Sequence, residues 1–243
     1  ITLRPQVSGR YEFDADVLRK SITSKTRLIL VNSPHNPTGS VFTFEELQVI
    51  ADVAIDNDLI VISDEVYEHL IFDNKKHIPI ATLPGMFERT ITISSGGKSF
   101  NTTGWKIGWA CAPAPLIAAT RMAKQLFTFA GGSPFQPAIA AGLRLPDQYF
   151  QTLATDLQHK RDVLMHALDE CGLRPITPEG TYFITADVRG RRPDGDGITF
   201  CRELPQLAGI VAIPAAVLYD SRHESEGRHL VRFVFCKELT TIS

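Results

Sequence analysis

The feature that most constrains this chain is a pair of short apolar runs flanking one amphipathic helix. Leu28-Ile29-Leu30-Val31 is unbroken by polar side chains and stops at Asn32-Ser33-Pro34, the pattern of a strand buried on both faces and ended by a turn. Thr43-Phe44-Glu45-Glu46 reads as a capping box, and Leu47, Ile50, Ala51, Ala54 and Ile55 recur at helical spacing on one face. Asn57-Asp58 closes the helix, and Leu59-Ile60-Val61-Ile62 is a second buried strand. A helix of this length between two apolar strands is the crossover of a βαβ unit, so a parallel sheet is predicted. Thr90-Ile91-Thr92-Ile93 adds a third strand.

From Pro115 the texture changes. Helical spacing covers about 115–128, 134–143 and 148–171, the last stopped by Gly172. Strand-like Tyr182 to Ala186, a helix from Ile198 to Leu207, an apolar run from Ile210 to Ile213 and the run Leu230 to Phe235 follow, a mixture that predicts a smaller α+β domain. The fold class is therefore α/β, a mostly parallel sheet sandwiched by helices over residues 1–145, with an α+β domain over 146–243. Loops are expected at Arg189 to Gly197 and Asp220 to Arg228.

Charge and composition exclude several classes. With 25 Lys+Arg against 27 Asp+Glu the net charge is −2, which leaves no electrostatic bias toward nucleic acid. The longest stretch without a polar side chain, Ile107 to Ala119, is 13 residues with two prolines, too short to cross a bilayer. Cys111, Cys171, Cys201 and Cys236 are widely spaced without metal-finger patterning, and are expected to be reduced, mostly buried thiols of a cytoplasmic protein.

The chemistry is expected where the strands end, because ligands of open parallel sheets bind beyond the carboxyl ends of strands. The first strand runs into Ser33-Pro34-His35-Asn36-Pro37-Thr38-Gly39, the second into Ser63-Asp64-Glu65-Val66-Tyr67, and the third into Ser94-Ser95-Gly96-Gly97-Lys98. An amide, a carboxylate, a phenol and an amine are thus offered at one sheet edge. Each piece alone has an ordinary reading as a turn, a helix cap or a solvated lysine. Gly97-Lys98-Ser99 imitates the end of a phosphate-binding loop, but Thr92 stands where that motif needs glycine.

The ordered blocks Ser-Pro-His-Asn-Pro-Thr-Gly, Ser-Asp-Glu-Val-Tyr, Ser-Gly-Gly-Lys-Ser-Phe-Asn-Thr-Thr-Gly-Trp-Lys-Ile-Gly-Trp and Val-Arg-Phe, spread over residues 33–233, resemble the signature of class I/II aminotransferases. These are pyridoxal-phosphate (PLP) enzymes of fold type I, that of aspartate aminotransferase. Within the family the text is most similar to the branch of kynurenine, methionine and N-succinyldiaminopimelate aminotransferases, the last through Cys111-Ala112-Pro113-Ala114-Pro115 and Ser133-Pro134-Phe135-Gln136-Pro137. The resemblance implies amino-acid and 2-oxo-acid substrates, a homodimer and no resident metal. It gives Lys98 the covalent bond to PLP and the proton shuttle at the substrate α-carbon, and Asp64 the pyridine nitrogen. Tyr67 and Asn36 fall to the ring oxygen, Ser95 and Lys106 to the phosphate, and Arg232 to the substrate carboxylate. Asn36 also counts among the substrate contacts. Many members carry arginine where Lys106 stands, so a two-point phosphate contact is replaced by a point charge.

Two other functions share these residues. A carbon–sulfur β-lyase of the same fold would use the same lysine and aspartate, and a non-catalytic sensor domain would only bind PLP, although no basic DNA-binding segment accompanies the chain. Trp105 and Trp109 are expected to pack within an apolar strand, His159 and His166 to lie on a surface, and Glu65 and Glu68 to cap and solvate the turn. Finally, the resemblance implies an earlier segment with a glycine-rich phosphate turn and a ring-stacking aromatic. Residues 1–35 show only one short strand and the tract Ser8-Gly9-Arg10, and the chain stops at Lys237 to Ser243 where a closing helix would start. An incomplete enzyme is therefore expected.

Overall fold

The computed structural model describes residues 1–6 and 9–242; Ser8 of the Ser8-Gly9-Arg10 tract lies outside them. In chain order the strands are β1 (Arg4–Pro5), β2 (Tyr11–Glu12), β3 (Leu28–Asn32), β4 (Ile60–Asp64), β5 (Thr90–Ser95), β6 (Gly108–Cys111), β7 (Arg174–Ile176), β8 (Phe183–Asp187), β9 (Ile213–Pro214) and β10 (Leu230–Val234). The helices are α1 (Ala15–Ser21), α2 (Phe44–Asp56), α3 (Gly96–Ser99), α4 (Ala114–Phe127), α5 (Gln136–Gly142), α6 (Asp147–Glu170), α7 (Gly197–Ala208), α8 (Glu224–Gly227) and α9 (Leu239–Ile242). They form two compact units. One comprises residues 15–34 and 41–153, the other 1–14, 35–40 and 154–243. Among the described residues no helix is long and apolar enough to cross a membrane.

The first unit holds a four-stranded mixed sheet in the order β3-β4-β5-β6. β3, β4 and β5 are parallel, in a register that levels Asn32 with Asp64 and Asp64 with Ile93, while β6 returns antiparallel. The crossover α2 forms as its sequence dictates. Thr43 Oγ1 accepts from the Glu46 amide at 3.2 Å and the Glu46 carboxylate accepts from the Thr43 amide at 2.9 Å, a cap that contributes about 1 kcal/mol. Leu47, Ile50, Ala51, Val53 and Ala54 are buried, and each larger aliphatic side chain there contributes about 1.5–3 kcal/mol. Ile55, expected on the buried face, is 40% exposed because Val53 takes the inward position.

Three further expectations change. β3 is an edge strand with Leu28 and Leu30 exposed, not a strand buried on both faces. Of the cysteines only Cys201 is buried. Cys111 ends β6, Cys171 follows α6 and Cys236 follows β10, all at exposed ends of elements. Trp105 lies in a 3-10 turn rather than a strand, its ring stacked on Phe135 at 4.7 Å, and Trp109 alone sits in β6.

The second unit carries an antiparallel sheet in the order β7-β8-β10-β9. β8 is buried along its whole length, and Tyr11, Ala215 and Leu230 form a cluster against which Leu3, Ile176 and Tyr219 pack.

Candidate functional site

In the parallel-sheet unit the strand ends carry four of the residues singled out from sequence. Asp64 is the last residue of β4 and Tyr67 the next but two. Ser95 ends β5, and Lys98 lies in the single turn of α3 that follows. The levelled register brings Asp64 and Ser95 to the same sheet edge, the edge where loops diverge. Lys98 Nζ stands 5.6 Å from the centroid of the Tyr67 ring, and that ring is buried.

Backbone constraints fix this arrangement. Ser95 Oγ accepts from the Gly97 amide at 3.2 Å and caps α3. A side chain at Gly97 would stand 2.9 Å from the Thr103 backbone, and one at Gly96 would stand 2.6 Å from Ile139, so the two glycines let β5 turn directly into the lysine. Tyr149 donates its hydroxyl to the Ser99 carbonyl at 3.2 Å from the other side of the turn. Lys106 is exposed and adopts a left-handed backbone at φ 56° just before β6.

Asp64 is half-buried, and its carboxyl is pushed above the ordinary range. Burial is the largest cause; the Val66 amide and the Lys98 charge pull the other way, and the Glu65 charge adds to the rise. The sequence missed what surrounds this carboxyl. Asn32 donates from Nδ2 to the Asp64 carbonyl at 2.9 Å. Glu65 is not a surface charge: it is 1% exposed, because β4 alternation turns it inward, where it accepts from Ser63 Oγ at 2.8 Å and His77 Nε2 at 2.6 Å. Glu68 accepts from the Ser94 hydroxyl. Only the buried serines within two residues of the Asp64 and Ser95 positions could have signalled this.

In the antiparallel-sheet unit Asn36 and Arg232 are together although 196 residues apart. Arg232 Nη1 donates to Asn36 Oδ1 at 2.8 Å, which leaves Nδ2 as the donating atom of that amide. The guanidinium lies 4.2 Å from the centroid of Phe183, the diagonal neighbour on β8, and Phe183 is 8% exposed. An aromatic floor and an amide thus orient a half-buried planar cation whose two-point edge suits a carboxylate. Gly39 shapes the Asn36 loop at φ 73°, its carbonyl accepting from the Glu179 and Gly180 amides at 2.9 and 2.8 Å. Arg161, buried in α6, donates to the Pro178 carbonyl at 3.0 Å in the same region. His159 and His166 are exposed.

The family model described as aminotransferase class I and II matches residues 3–228. The chain belongs to the class I and II aminotransferases. Among relatives of this aminotransferase chain, the probable N-succinyldiaminopimelate aminotransferase of Mycobacterium tuberculosis is 48% identical over 248 residues, covering 100% of this chain and 62% of the relative. The kynurenine–oxoglutarate transaminase of Dictyostelium discoideum is 41% identical over 97% of the chain and 58% of that protein. The solved structure of N-succinyldiaminopimelate aminotransferase from M. tuberculosis superposes with a TM-score of 0.92 at 48% identity, covering 99% of this chain and 62% of the other. The aminotransferase chain described here thus spans about three-fifths of the length of these relatives. The fold is that of the type I PLP aminotransferases, and PLP is the cofactor of the family.

Proposed function

We propose that this chain carries the cofactor and substrate residues of a PLP-dependent aminotransferase that moves an amino group from an amino acid to a 2-oxo acid. The observation that carries the reading is the convergence, on adjacent parallel strand ends, of the half-buried Asp64 carboxylate and the amine of Lys98. PLP fits this donor set, because a protonated ring nitrogen takes a carboxylate such as Asp64 as its partner and its aldehyde takes an amine such as Lys98. When bound, PLP supplies an electron-accepting ring that stabilises negative charge at the substrate α-carbon.

In this reading Asp64 would accept the hydrogen bond of the protonated ring nitrogen, and Lys98 would hold the cofactor and move a proton at the substrate α-carbon, since a neutral amine can both bond a carbonyl carbon and accept a proton. Tyr67 would hold the ring oxygen and Ser95 and Lys106 the phosphate, and the family resemblance would give Asn36 a share in the ring oxygen and Arg232, with Asn36, the α-carboxylate. We assign N-succinyl-LL-2,6-diaminopimelate as the amino donor, supported by the 48% identical relative's name, and 2-oxoglutarate as the acceptor, supported by the name of the 41% identical kynurenine–oxoglutarate transaminase; the working form is taken to be a homodimer from the family resemblance. The deciding experiment gives the PLP-loaded protein a panel of amino donors, N-succinyldiaminopimelate and kynurenine included, and follows keto acid and ammonia. Keto acid that requires an added acceptor supports transfer. Ammonia with pyruvate would replace it by β-elimination, and binding of PLP without turnover would leave a sensor.

A further inference from the structure

Glu65 and His77 form a buried couple that the reaction as described does not use. We propose that Glu65, with His77 as its partner, is a positioning residue that holds the turn from Asp64 to Tyr67 in the geometry PLP requires; this rests on the roles assigned above to Asp64 and Tyr67. The Glu65 side chain is 2% exposed and that of His77 9%, and the Nε2 to Oε2 distance is 2.6 Å. A carboxylate only accepts, so His77 Nε2 is the donor. Nδ1 of the same ring is buried without a hydrogen-bond partner among the described residues, so the imidazole is hydrogen-bonded through Glu65 alone.

The couple reaches both residues it is asked to hold. The Glu65 amide donates to the Ile93 carbonyl at 2.9 Å, and its carbonyl accepts from the Glu68 amide at 2.9 Å, so the backbone of the turn hangs on this residue. Its side chain, through Ser63 Oγ at 2.8 Å, is tied to the strand residue before Asp64, and through His77 to a segment twelve positions on. Asp64 and Tyr67 flank it in sequence, on the turn it fastens. Glu68 repeats the device on the next strand by accepting from Ser94, the residue before Ser95. Carboxylates taken out of water cost too much to be spacers, and a leucine would fill the same volume without that cost.

The test uses the holoenzyme with His77→Leu, His77→Gln and Glu65→Gln. Backbone amide exchange at Val66 and Glu68 is read against α2, and PLP affinity is measured by titration. For His77→Leu, exchange at the turn should quicken and PLP affinity should fall by about tenfold or more, the weight of one hydrogen bond to a charged group, with α2 unchanged. Glu65→Gln should behave in the same way. His77→Gln, whose amide still donates, should recover most of both. Equal behaviour of Leu and Gln, a loosened turn with unaltered PLP affinity, or a loss of protection that extends equally to α2 would each overturn the proposal. Borohydride reduction of the unmodified protein separates the two layers. An adduct away from Lys98 would remove the assigned roles, and with them the purpose given to the couple, whatever the exchange at the turn.

Discussion

Gly39→Ala should damage the antiparallel-sheet unit out of proportion to the one methyl group it adds. The glycine has φ 73°, and a Cβ built there would lie 2.2 Å from the Pro178 Cβ, 2.9 Å from its Cα and 3.0 Å from the Gly180 carbonyl. A left-handed backbone alone costs an L-residue about 1–2 kcal/mol. Relieving the overlap moves the backbone by more than an ångström. That strains the two amide bonds from Glu179 and Gly180 to the Gly39 carbonyl, worth about 1 kcal/mol each. The sum is about 3–4 kcal/mol, a large share of the 5–15 kcal/mol typical of a domain. Asn36 lies in the same loop, closed by the Gly39 amide on the His35 carbonyl at 2.7 Å, so its bond to Arg232 should weaken with it. Equilibrium denaturation of the holoprotein and its affinity for a dicarboxylate inhibitor measure both effects. Gly104→Ala, with nothing within 4 Å of its Cβ, is the control and should change stability by less than about 1 kcal/mol. A Gly39→Ala protein as stable as that control, with unaltered inhibitor binding, would show that the loop does not need glycine at position 39.

Asp64→Asn should leave the fold intact and lower turnover by about two orders of magnitude or more, because an amide cannot hold a protonated ring nitrogen; near-normal rates by steady-state assay would remove it from the mechanism. Arg232→Lys keeps the charge but loses the planar two-point edge and its stacking on Phe183, so KM for the amino donor should rise about tenfold while the absorbance of bound PLP is unchanged. Burial pushes His35 down to about 4 from an ordinary 6.5. The unfolded chain therefore binds the extra proton between those values, and stability should fall as pH drops from about 6.5 to about 4. Denaturation midpoints across that window should be flatter in His35→Gln.

Local rules carried much of the fold. The capping box at Thr43 and Glu46, the apolar runs at 60–62 and 90–93 and the helix end at Gly172 all appear where side-chain spacing places them. What escaped was tertiary. α1 is too short and too polar to announce itself. Leu28 and Leu30 share one face of β3, and their exposure depends on what packs over that face, which no property of the run Leu28 to Val31 encodes. At the candidate site the strand-end residues were legible because parallel strands put their ends at one edge. Glu65 was misjudged because a glutamate after a strand end ordinarily caps or solvates the turn, whereas its burial follows from the strand alternation and from His77, twelve positions on. Arg232 with Asn36 and Phe183 is likewise a product of long-range pairing.

If Lys98 holds the cofactor, borohydride reduction of the PLP-loaded protein, followed by proteolysis and mass mapping, will place the pyridoxyl mass on the peptide containing Lys98, and Lys98→Ala will lose it. A label on Lys106 or any other lysine, or none at all, would remove Lys98 from that role.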